Sequence, residues 1–348
     1  MERSWVAHYD PGVPAQLDYP SLTLPQLFDA SAAENSGRAA TIFHGARLTY
    51  GQLKGQIDRF AGGLRRLGIV PGDRVAIDLP NLPQFVVAFY GTLRAGAVAV
   101  PTNPLYTQHE LAYQLADSGA RAVVTLDRLF PTLQAALPET RVQTVVVTDV
   151  AAALPRHLRL LGRLHQRREG IRRIPSGGIV HRFERVLTSP PAECSATDVD
   201  ALAVLQYTGG TTGTSKGAML SHRNMVTNVV QVDAWQGKVR GGSILCGIPF
   251  FHVYGLTVAM NIAVVSGATM LLLPRFIPAE AAQMAARYHP GLFPGVPTMY
   301  VALAGLSDFS AQQFGSLRAC ISGAAPLPLE VQRRFLEASG AHVVEGYG

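Results

Sequence analysis

Helix-like and strand-like hydrophobic patterns alternate along most of this chain. Over residues 53–67, apolar residues recur at spacings of three and four, which predicts one buried helix face. Short valine-rich runs between such stretches predict buried strands. The predicted helices cover residues 53–67, 83–95 and 108–119, and the predicted strands cover residues 70–79, 97–101, 121–127 and 143–149. Their alternation predicts an α/β fold built on a mostly parallel, doubly wound sheet.

Two segments depart from this alternation. Residues 1–40 include four prolines and are predicted to be irregular. Residues 151–190 are rich in arginine and interrupt the rhythm, which resumes near residue 200. Beyond that point the pattern predicts further helices near residues 278–288 and 327–338.

An uncharged stretch at residues 256–273 raises the question of a membrane span, because 18 apolar residues are long enough to cross a bilayer. Asn261, Ser266 and Gly267 interrupt this stretch. A buried helix, a turn and a strand are therefore favoured, and a membrane span is the alternative.

Composition narrows the class of protein. The chain has 348 residues, of which 48% are hydrophobic, and this is enough for one large α/β unit or two domains. The net charge is +6, but residues 156–185 hold nine Arg and two Glu, so the rest of the chain is close to neutral. This distribution argues against a nucleic-acid partner. Three cysteines without a CxxC pair and a polar N-terminus predict a cytoplasmic protein without a disulfide framework.

The arginine-rich segment has two interpretations. Leucines at 158, 160, 161 and 164 fit one face of a short helix, with arginines on the other face. Such a helix is either a solvated surface insertion or an interfacial segment that contacts anionic lipid headgroups.

A loop rich in glycine and threonine follows the apolar run at residues 201–207. Glycines at 209, 210 and 213 allow backbone N–H groups to converge on an anion, and the hydroxyls and Lys216 add further donors. The composition therefore predicts a polyphosphate site, with a plain surface turn as the alternative. A P-loop is excluded, because Ser215 and Gly217 stand where that motif needs glycine and a hydroxyl. Residues 213–217 do match GxSxG, but a hydrolase elbow needs a strand directly before its first glycine.

The stretch YTGGTTGTSKGAMLSHRN closely resembles the phosphate loop of adenylate-forming enzymes, the acyl-CoA synthetase superfamily. Gly209 and Ser215 replace the Ser and Pro of the commonest form, and the Gly-Gly form resembles the long-chain fatty acid CoA ligase branch. Further stretches that resemble the family are PFFHVYGL (249–256), GVPTMYVAL (295–303), SGAAPLP (322–328) and EGYG (345–348). The resemblance covers about residues 20–348.

The resemblance implies the large amino-terminal domain of the adenylate-forming fold, in which two mostly parallel sheets are sandwiched with helices. This domain would span residues 26–348 after an irregular segment at 1–25, with the arginine-rich insertion at about 152–188. Because the sequence ends within the family's GYGxTE motif, the domain is expected to be incomplete at its C-terminal end. The C-terminal lid domain is expected to be absent, and turnover by the chain alone to be weak or absent.

The implied reaction has two steps. The carboxylate of a fatty acid attacks Mg-ATP to give acyl-AMP and pyrophosphate, and coenzyme A then displaces AMP. Developing charge on the phosphates calls for positioned donors and Mg²⁺. No protein-held metal ligands are predicted. The alternatives are an aryl-acid CoA ligase of the same superfamily and a non-catalytic nucleotide- or lipid-binding remnant. The expected partners are a fatty acid, a peripheral contact of residues 156–185 with the inner membrane face, and a second copy of the chain in a homodimer.

The resemblance also assigns residues to roles. Lys216 and His252 would be catalytic, although a lone histidine is often structural. The phosphates would be held by Thr208, Gly209, Gly210, Thr211, Thr212, Gly213 and Lys216. The adenine would be lined by Gly323, Ala324, Ala325 and Pro326 together with Glu345, Gly346, Tyr347 and Gly348, with Tyr347 stacked on the ring. The acyl pocket would be lined by Phe250, Phe251, His252, Tyr254 and Gly255, although core packing explains the aromatic residues nearly as well.

Overall fold

Two seven-stranded sheets form the framework of the molecule. A computed structural model describes residues 4–196, 198–209, 215–236, 240–307 and 309–346. Sheet A has the strand order β14-β13-β12-β10-β11-β1-β2 and sheet B the order β7-β6-β5-β3-β4-β8-β9. The strands of sheet A are β1 (Ala39–Phe43), β2 (Ala46–Thr49), β10 (Ser243–Cys246), β11 (Thr269–Leu272), β12 (Leu292–Gly295), β13 (Ala319–Ser322) and β14 (Val343–Glu345). The strands of sheet B are β3 (Arg74–Asp78), β4 (Val98–Pro101), β5 (Ala122–Leu126), β6 (Thr144–Thr148), β7 (Val180–Arg182), β8 (Leu202–Thr208) and β9 (Lys216–Ser221).

Helices connect the strands and cover both sheets. The α-helices are α1 (Leu24–Glu34), α2 (Tyr50–Arg66), α3 (Pro83–Arg94), α4 (Gln108–Asp117), α5 (Phe130–Ala136), α6 (Arg159–Arg168), α7 (Phe183–Val186), α8 (His222–Gln236), α9 (Ile262–Val265), α10 (Pro278–Tyr288), α11 (Pro297–Ala304), α12 (Ala311–Phe314) and α13 (Leu329–Ser339). A π-helix at Gly255–Asn261 runs directly into α9. Short 3-10 turns lie at Ser4–His8, Leu137–Glu139, Val150–Ala153 and Arg156–Leu158.

Nearly all strand pairs are parallel. Among the described strands, only β1 with β2 and β8 with β9 pair antiparallel. In sheet B the order places β3 at the centre, with later strands added on both sides, which is a doubly wound topology. The carboxyl ends of the parallel strands share one edge of each sheet, and this edge is where such folds bind ligands.

The main core lies between the two sheets and joins them. Helix α3 is buried along its whole length, from Pro83 to Arg94. The Tyr50 hydroxyl lies 2.7 Å from the backbone oxygens of both Ala263 and Ala268 and shares its one proton between them. The Tyr90 hydroxyl donates to the Asn261 side-chain oxygen at 2.8 Å. These bonds tie the helices to the buried π-helix and its following turn.

The structure confirms the fold class and the predicted helices and strands, with ends shifted by a few residues. The uncharged stretch at 256–273 is a buried helix, a turn and β11, as favoured. Within the described ranges, no helix combines the length and apolar composition needed to cross a bilayer.

One prediction was wrong. Residues 1–40 were expected to be irregular, but α1 occupies Leu24–Glu34 and β1 begins at Ala39. Thr23 and Gln26 form a capping box, and Pro25 lies in the first helical turn, where its missing N–H costs no hydrogen bond. The proline that suggested irregularity therefore belongs to a helix start.

Candidate nucleotide and acyl site

The predicted phosphate loop connects β8 to β9. Thr208 ends β8 and is paired with Lys216, which begins β9, so the two residues face each other across the hairpin. The Ser215 hydroxyl donates to the Thr208 backbone oxygen at 2.9 Å and closes the base of the loop. Among the described residues, nothing lies within 4 Å of the position where a Cβ on Gly209 would stand. The predicted phosphate-binding residues Gly210, Thr211, Thr212 and Gly213 lie outside the described residues.

This hairpin rules out the hydrolase interpretation. A nucleophile elbow places its serine on a turn from a strand into a helix. Here Ser215 is followed by strand β9, which runs antiparallel to β8. Ser215 also uses its hydroxyl to hold the loop base.

Helix α4 holds the hairpin from the side. The Tyr113 hydroxyl donates to the Ser215 backbone oxygen at 2.9 Å. Tyr207, in β8, donates its hydroxyl to the Asp117 carboxylate at the end of α4. Gly217 lets β9 lie against the Tyr207 ring, because a Cβ there would stand 3.1 Å from a ring carbon. The sequence motif contained Tyr207, but nothing in its pattern pointed to Tyr113 or Asp117.

The loop after β10 carries His252 and is held by both sheets. Asn81, which follows β3 in sheet B, donates its side-chain amide to the backbone oxygens of Cys246 (3.0 Å) and Ile248 (2.8 Å). Its side-chain oxygen accepts from the Phe250 N–H at 2.8 Å. Asn81 is only 2% exposed, so each of these bonds is made away from water.

A second bond links this loop to the phosphate hairpin. Gln206 lies two residues before Thr208, and its side-chain amide donates to the Phe251 backbone oxygen at 3.0 Å. The residue after Phe251 is His252. The predicted carboxylate-binding histidine is therefore held next to the strand that leads into the phosphate loop.

The His252 ring is oriented by its own loop. The Tyr254 N–H donates to Nδ1 of His252 at 3.2 Å. An accepting Nδ1 assigns the proton of the neutral imidazole to Nε2. The surrounding protein lowers the pKa of His252 below its usual value by desolvating the charged ring. The lowered pKa favours the neutral ring, in which Nε2–H is the donor.

Tyr254 connects His252 to the predicted adenine segment. Its hydroxyl donates to the Ile321 backbone oxygen at the end of β13, at 2.8 Å. Gly323 packs against the same ring, since a Cβ there would stand 3.1 Å from it. The Ser322 hydroxyl is fully buried and has no hydrogen-bond partner among the described residues.

The adenine segment itself leaves the core after Gly323. Ala324, Ala325 and Pro326 are exposed, and Ala324 has a left-handed backbone with φ of +69°. This conformation is strained for a residue with a Cβ, and such strain concentrates at ligand sites. The N–H of Gly346, the residue after β14, donates to the Ser322 backbone oxygen at 2.8 Å. The Glu345 carboxylate, at the end of β14, accepts from the Leu327 N–H at 3.3 Å. The predicted Tyr347 and Gly348 lie outside the described residues.

The predicted pocket aromatics differ in burial. Phe250 is fully buried, as a core residue is, and its ring centroid lies 5.6 Å from that of Phe85. Phe251 is half-buried. Position 255 requires glycine, because a Cβ there would collide with the nearby Pro249 backbone oxygen. The assignment of these residues to an acyl pocket stays a prediction.

Among the described residues, the site has nothing within 4 Å of a Cβ added at Gly209, a cation at Lys216, and a buried Ser322 hydroxyl without a hydrogen-bond partner. Over the described ranges, no group of three or more His, Cys, Asp or Glu side chains could hold a metal ion.

Comparisons with known proteins identify the family of the chain. The sequence profile of the AMP-binding enzyme family matches residues 28–348, and the chain belongs to this family. It is 38% identical over 353 residues to a long-chain-fatty-acid–CoA ligase from Bacillus subtilis (strain 168), covering all of this chain and 63% of that protein.

Solved structures show the same fold. A long-chain-fatty-acid-CoA ligase from Archaeoglobus fulgidus superposes with a TM-score of 0.82 at 24% identity, covering 98% of this chain and 66% of that one. A benzoate CoA ligase from Burkholderia xenovorans LB400 gives a TM-score of 0.79 at 25% identity, covering 94% and 61%. The chain thus spans a little under two thirds of the length of its Bacillus relative.

Proposed function

We propose that this chain supplies the ATP site and the acyl-activating residues of a long-chain fatty acid CoA ligase. The observation that carries the proposal is the continuous set of bonds from β8 through His252 to β13. Gln206 holds the loop that carries His252, and Tyr254 of that loop holds the end of β13. Three segments assigned to phosphate, carboxylate and adenine are thereby held together at the carboxyl ends of their strands.

In the proposed first step, a carboxylate oxygen of the fatty acid attacks the α-phosphorus of ATP. The bond from that phosphorus to the bridging oxygen breaks, and pyrophosphate leaves with the electron pair. Lys216 and the loop N–H groups would stabilise the negative charge that develops on the leaving β- and γ-phosphates. Nε2–H of His252 would donate to the carboxylate and hold it in line for attack.

In the proposed second step, the thiol sulfur of coenzyme A attacks the acyl carbon. The acyl–phosphate bond breaks, AMP leaves, and the thiol proton is released to solvent or a base. The residues described here would hold AMP and the acyl carbonyl during this step. ATP, Mg²⁺ and coenzyme A are accordingly co-substrates in this proposal.

Binding of ATP by the chain tests the nucleotide half of the proposal. Lys216→Ala should weaken ATP binding by about tenfold or more, because a charge-assisted contact to phosphate is lost. Arg333→Ala removes one positive charge from an exposed position on α13 and should leave ATP affinity unchanged. Equal ATP affinity in the Lys216→Ala variant, measured by calorimetry, would contradict the assignment of the loop.

The acid is proposed to be a long-chain fatty acid because the Bacillus relative at 38% identity is named for that activity. The similarity to a benzoate CoA ligase favours an aryl acid as the second candidate. Comparing palmitate with coumarate as the activated acid separates the two, and a preference for coumarate would overturn our choice.

A further inference from the structure

Helix α6 has an apolar face that points away from the protein. Its inner side is packed: Gly162 lies so close to Leu154 and Ala151 that an added Cβ would stand 2.6 Å and 3.2 Å from their side chains. Its outer side carries Leu160, Leu161 and Leu164, which are 69%, 61% and 45% exposed. At 100° per residue these three leucines span about one quarter of the helix circumference. A helix that is already packed on one side has no internal use for a second apolar stripe.

Arginines flank the exposed leucines. Arg163 and Arg167 lie on one side of the stripe, and Arg168 projects from within it one turn after Leu164. Arg172 and Arg173 follow the helix and are exposed. Within the part of the chain that the structure describes, none of these five forms an ion pair with an acidic side chain. The positive charge of this surface is therefore available to an external partner.

The acidic side chains near α6 are already paired with other basic side chains. Glu169 lies 3.5 Å from His165 and 3.9 Å from Arg128. The one deeply buried arginine of the segment, Arg182, is neutralised by Asp127 at 2.6 Å and Asp149 at 3.1 Å. These buried pairs fasten the segment to the ends of β5 and β6, and they leave the outer arginines uncompensated.

The segment that contains α6 and the predicted phosphate loop leave sheet B at the same edge. The helix follows the carboxyl end of β6, and the phosphate loop follows the carboxyl end of β8 in the same parallel sheet. Four strand spacings separate β6 from β8, which is roughly 19 Å. The segment that contains α6 therefore leaves sheet B at the same edge as the loop that leads to the proposed fatty-acid site.

We propose that the outer face of α6, with its leucine stripe and flanking arginines, is a docking surface for an anionic lipid bilayer. The leucines enter the acyl boundary, and the arginines contact the headgroup phosphates. A nucleic acid would use the arginines but would gain nothing from three exposed leucines, so a membrane fits both features. The inference does not depend on catalysis, since it concerns binding of the chain without ATP or fatty acid.

The test is cosedimentation of the 348-residue chain with vesicles of phosphatidylcholine alone and of phosphatidylcholine with 40% phosphatidylglycerol. We expect binding only to the anionic vesicles, with loss of binding at high salt. Arg167→Gln with Arg168→Gln should weaken binding by about fivefold for each arginine removed. The triple change of Leu160, Leu161 and Leu164 to serine should weaken binding at least about tenfold at unchanged charge.

Helix α13 offers a matched control. Leu329 is 58% exposed, and Arg333 and Arg334 are exposed on the same helix. Leu329→Ser with Arg333→Gln and Arg334→Gln should bind anionic vesicles like the unchanged chain. The Lys216→Ala variant should also bind them normally, which separates this inference from the proposed function.

Three results would overturn the inference. One is no binding to anionic vesicles. Another is equal binding by the triple serine variant, which would mean that the leucines do not enter the lipid. The third combines no vesicle binding with binding of duplex DNA that the triple serine variant keeps and the arginine variant loses. That result would indicate a site for polyanions instead.

Discussion

Asp78 shows how a single residue makes stability depend on pH. Its carboxyl group is 3% exposed at the end of β3 and accepts a hydrogen bond of 2.7 Å from Thr125. Burial raises the pKa of Asp78 to about 7, because desolvation of the charged form outweighs the bond from Thr125. The unfolded chain releases this proton near pH 4, so the folded state loses stability as pH rises from about 4 to about 7.

Asp78→Asn should therefore stabilise the protein at pH 8 and have a smaller effect at pH 5. The gain at pH 8 is at most about 4 kcal/mol, and asparagine can still accept from Thr125. Urea denaturation at the two pH values measures the difference. The exposed Asp18→Asn is the matched control and should change neither value. A loss of stability at pH 8 in Asp78→Asn would contradict this account.

His222 should give the opposite pH dependence. It is 3% exposed, and its Nδ1 accepts from the Leu24 N–H at 3.3 Å. Burial lowers its pKa to about 4, so protonation in acid favours the unfolded chain. Stability should fall by about 3 kcal/mol as pH drops from about 6.5 to about 4.

His222→Gln removes the titrating ring and should flatten that part of the stability curve. The comparison is the slope of unfolding free energy against pH between 6.5 and 4.5, not the absolute stability. His8→Gln, in an exposed N-terminal turn, serves as control. An unchanged slope in His222→Gln would show that another group causes the acid sensitivity.

Helix α4 is the element that most directly positions the phosphate hairpin. Tyr113→Phe removes its bond to the Ser215 oxygen, and Asp117→Asn weakens the bond from Tyr207. Each change should raise the Kd for ATP about fivefold, because each removes about 1 kcal/mol of loop ordering. Affinity for the fatty acid should stay unchanged, which distinguishes loop positioning from general destabilisation. Tyr19→Phe is the control, because its hydroxyl accepts a hydrogen bond from the Gln231 side chain, away from the loop.

Local pattern explains which elements were predictable. Periodic apolar residues identified α2, α3 and α4, and valine-rich runs identified β5 and β6. Helix α1 was not predicted, because proline usually indicates irregular backbone. Here Thr23 and Gln26 form a capping box on either side of Pro25 at the start of the helix. The sequence also placed α6 correctly, but only the structure shows that its leucines face solvent.

The candidate site was predictable as segments but not as an arrangement. The family motifs supplied Lys216, His252 and Gly323 as separate stretches. The bonds that join these stretches run from Asn81 to Phe250, from Gln206 to Phe251 and from Tyr254 to Ile321, over sequence separations of 169, 45 and 67 residues. No local pattern encodes a side chain that reaches so far along the chain. The family motif supplied Tyr254 as a pocket residue, but its bond to Ile321 and the positioning roles of Asn81 and Gln206 emerge only from the fold.

At the scale of the whole molecule, two sheets share one core and bring their carboxyl ends to a common region. Sheet B supplies the β8–β9 hairpin with the proposed phosphate loop, and sheet A supplies the end of β13. The loop that carries His252 is bonded to both. This arrangement suits a reaction in which a nucleotide and an acid must be held in line.

The most direct test of this account is ATP–pyrophosphate exchange with palmitate and Mg²⁺, measured on the 348-residue chain and on the longest polypeptide in its reading frame. The account predicts palmitate-dependent exchange in the longer polypeptide, with weak or no exchange by the 348-residue chain. This exchange should exceed coumarate-dependent exchange and be lost in Lys216→Ala. Absence of acid-dependent exchange in both polypeptides, with ATP still bound, would contradict it and would indicate a nucleotide-binding protein without acyl activation.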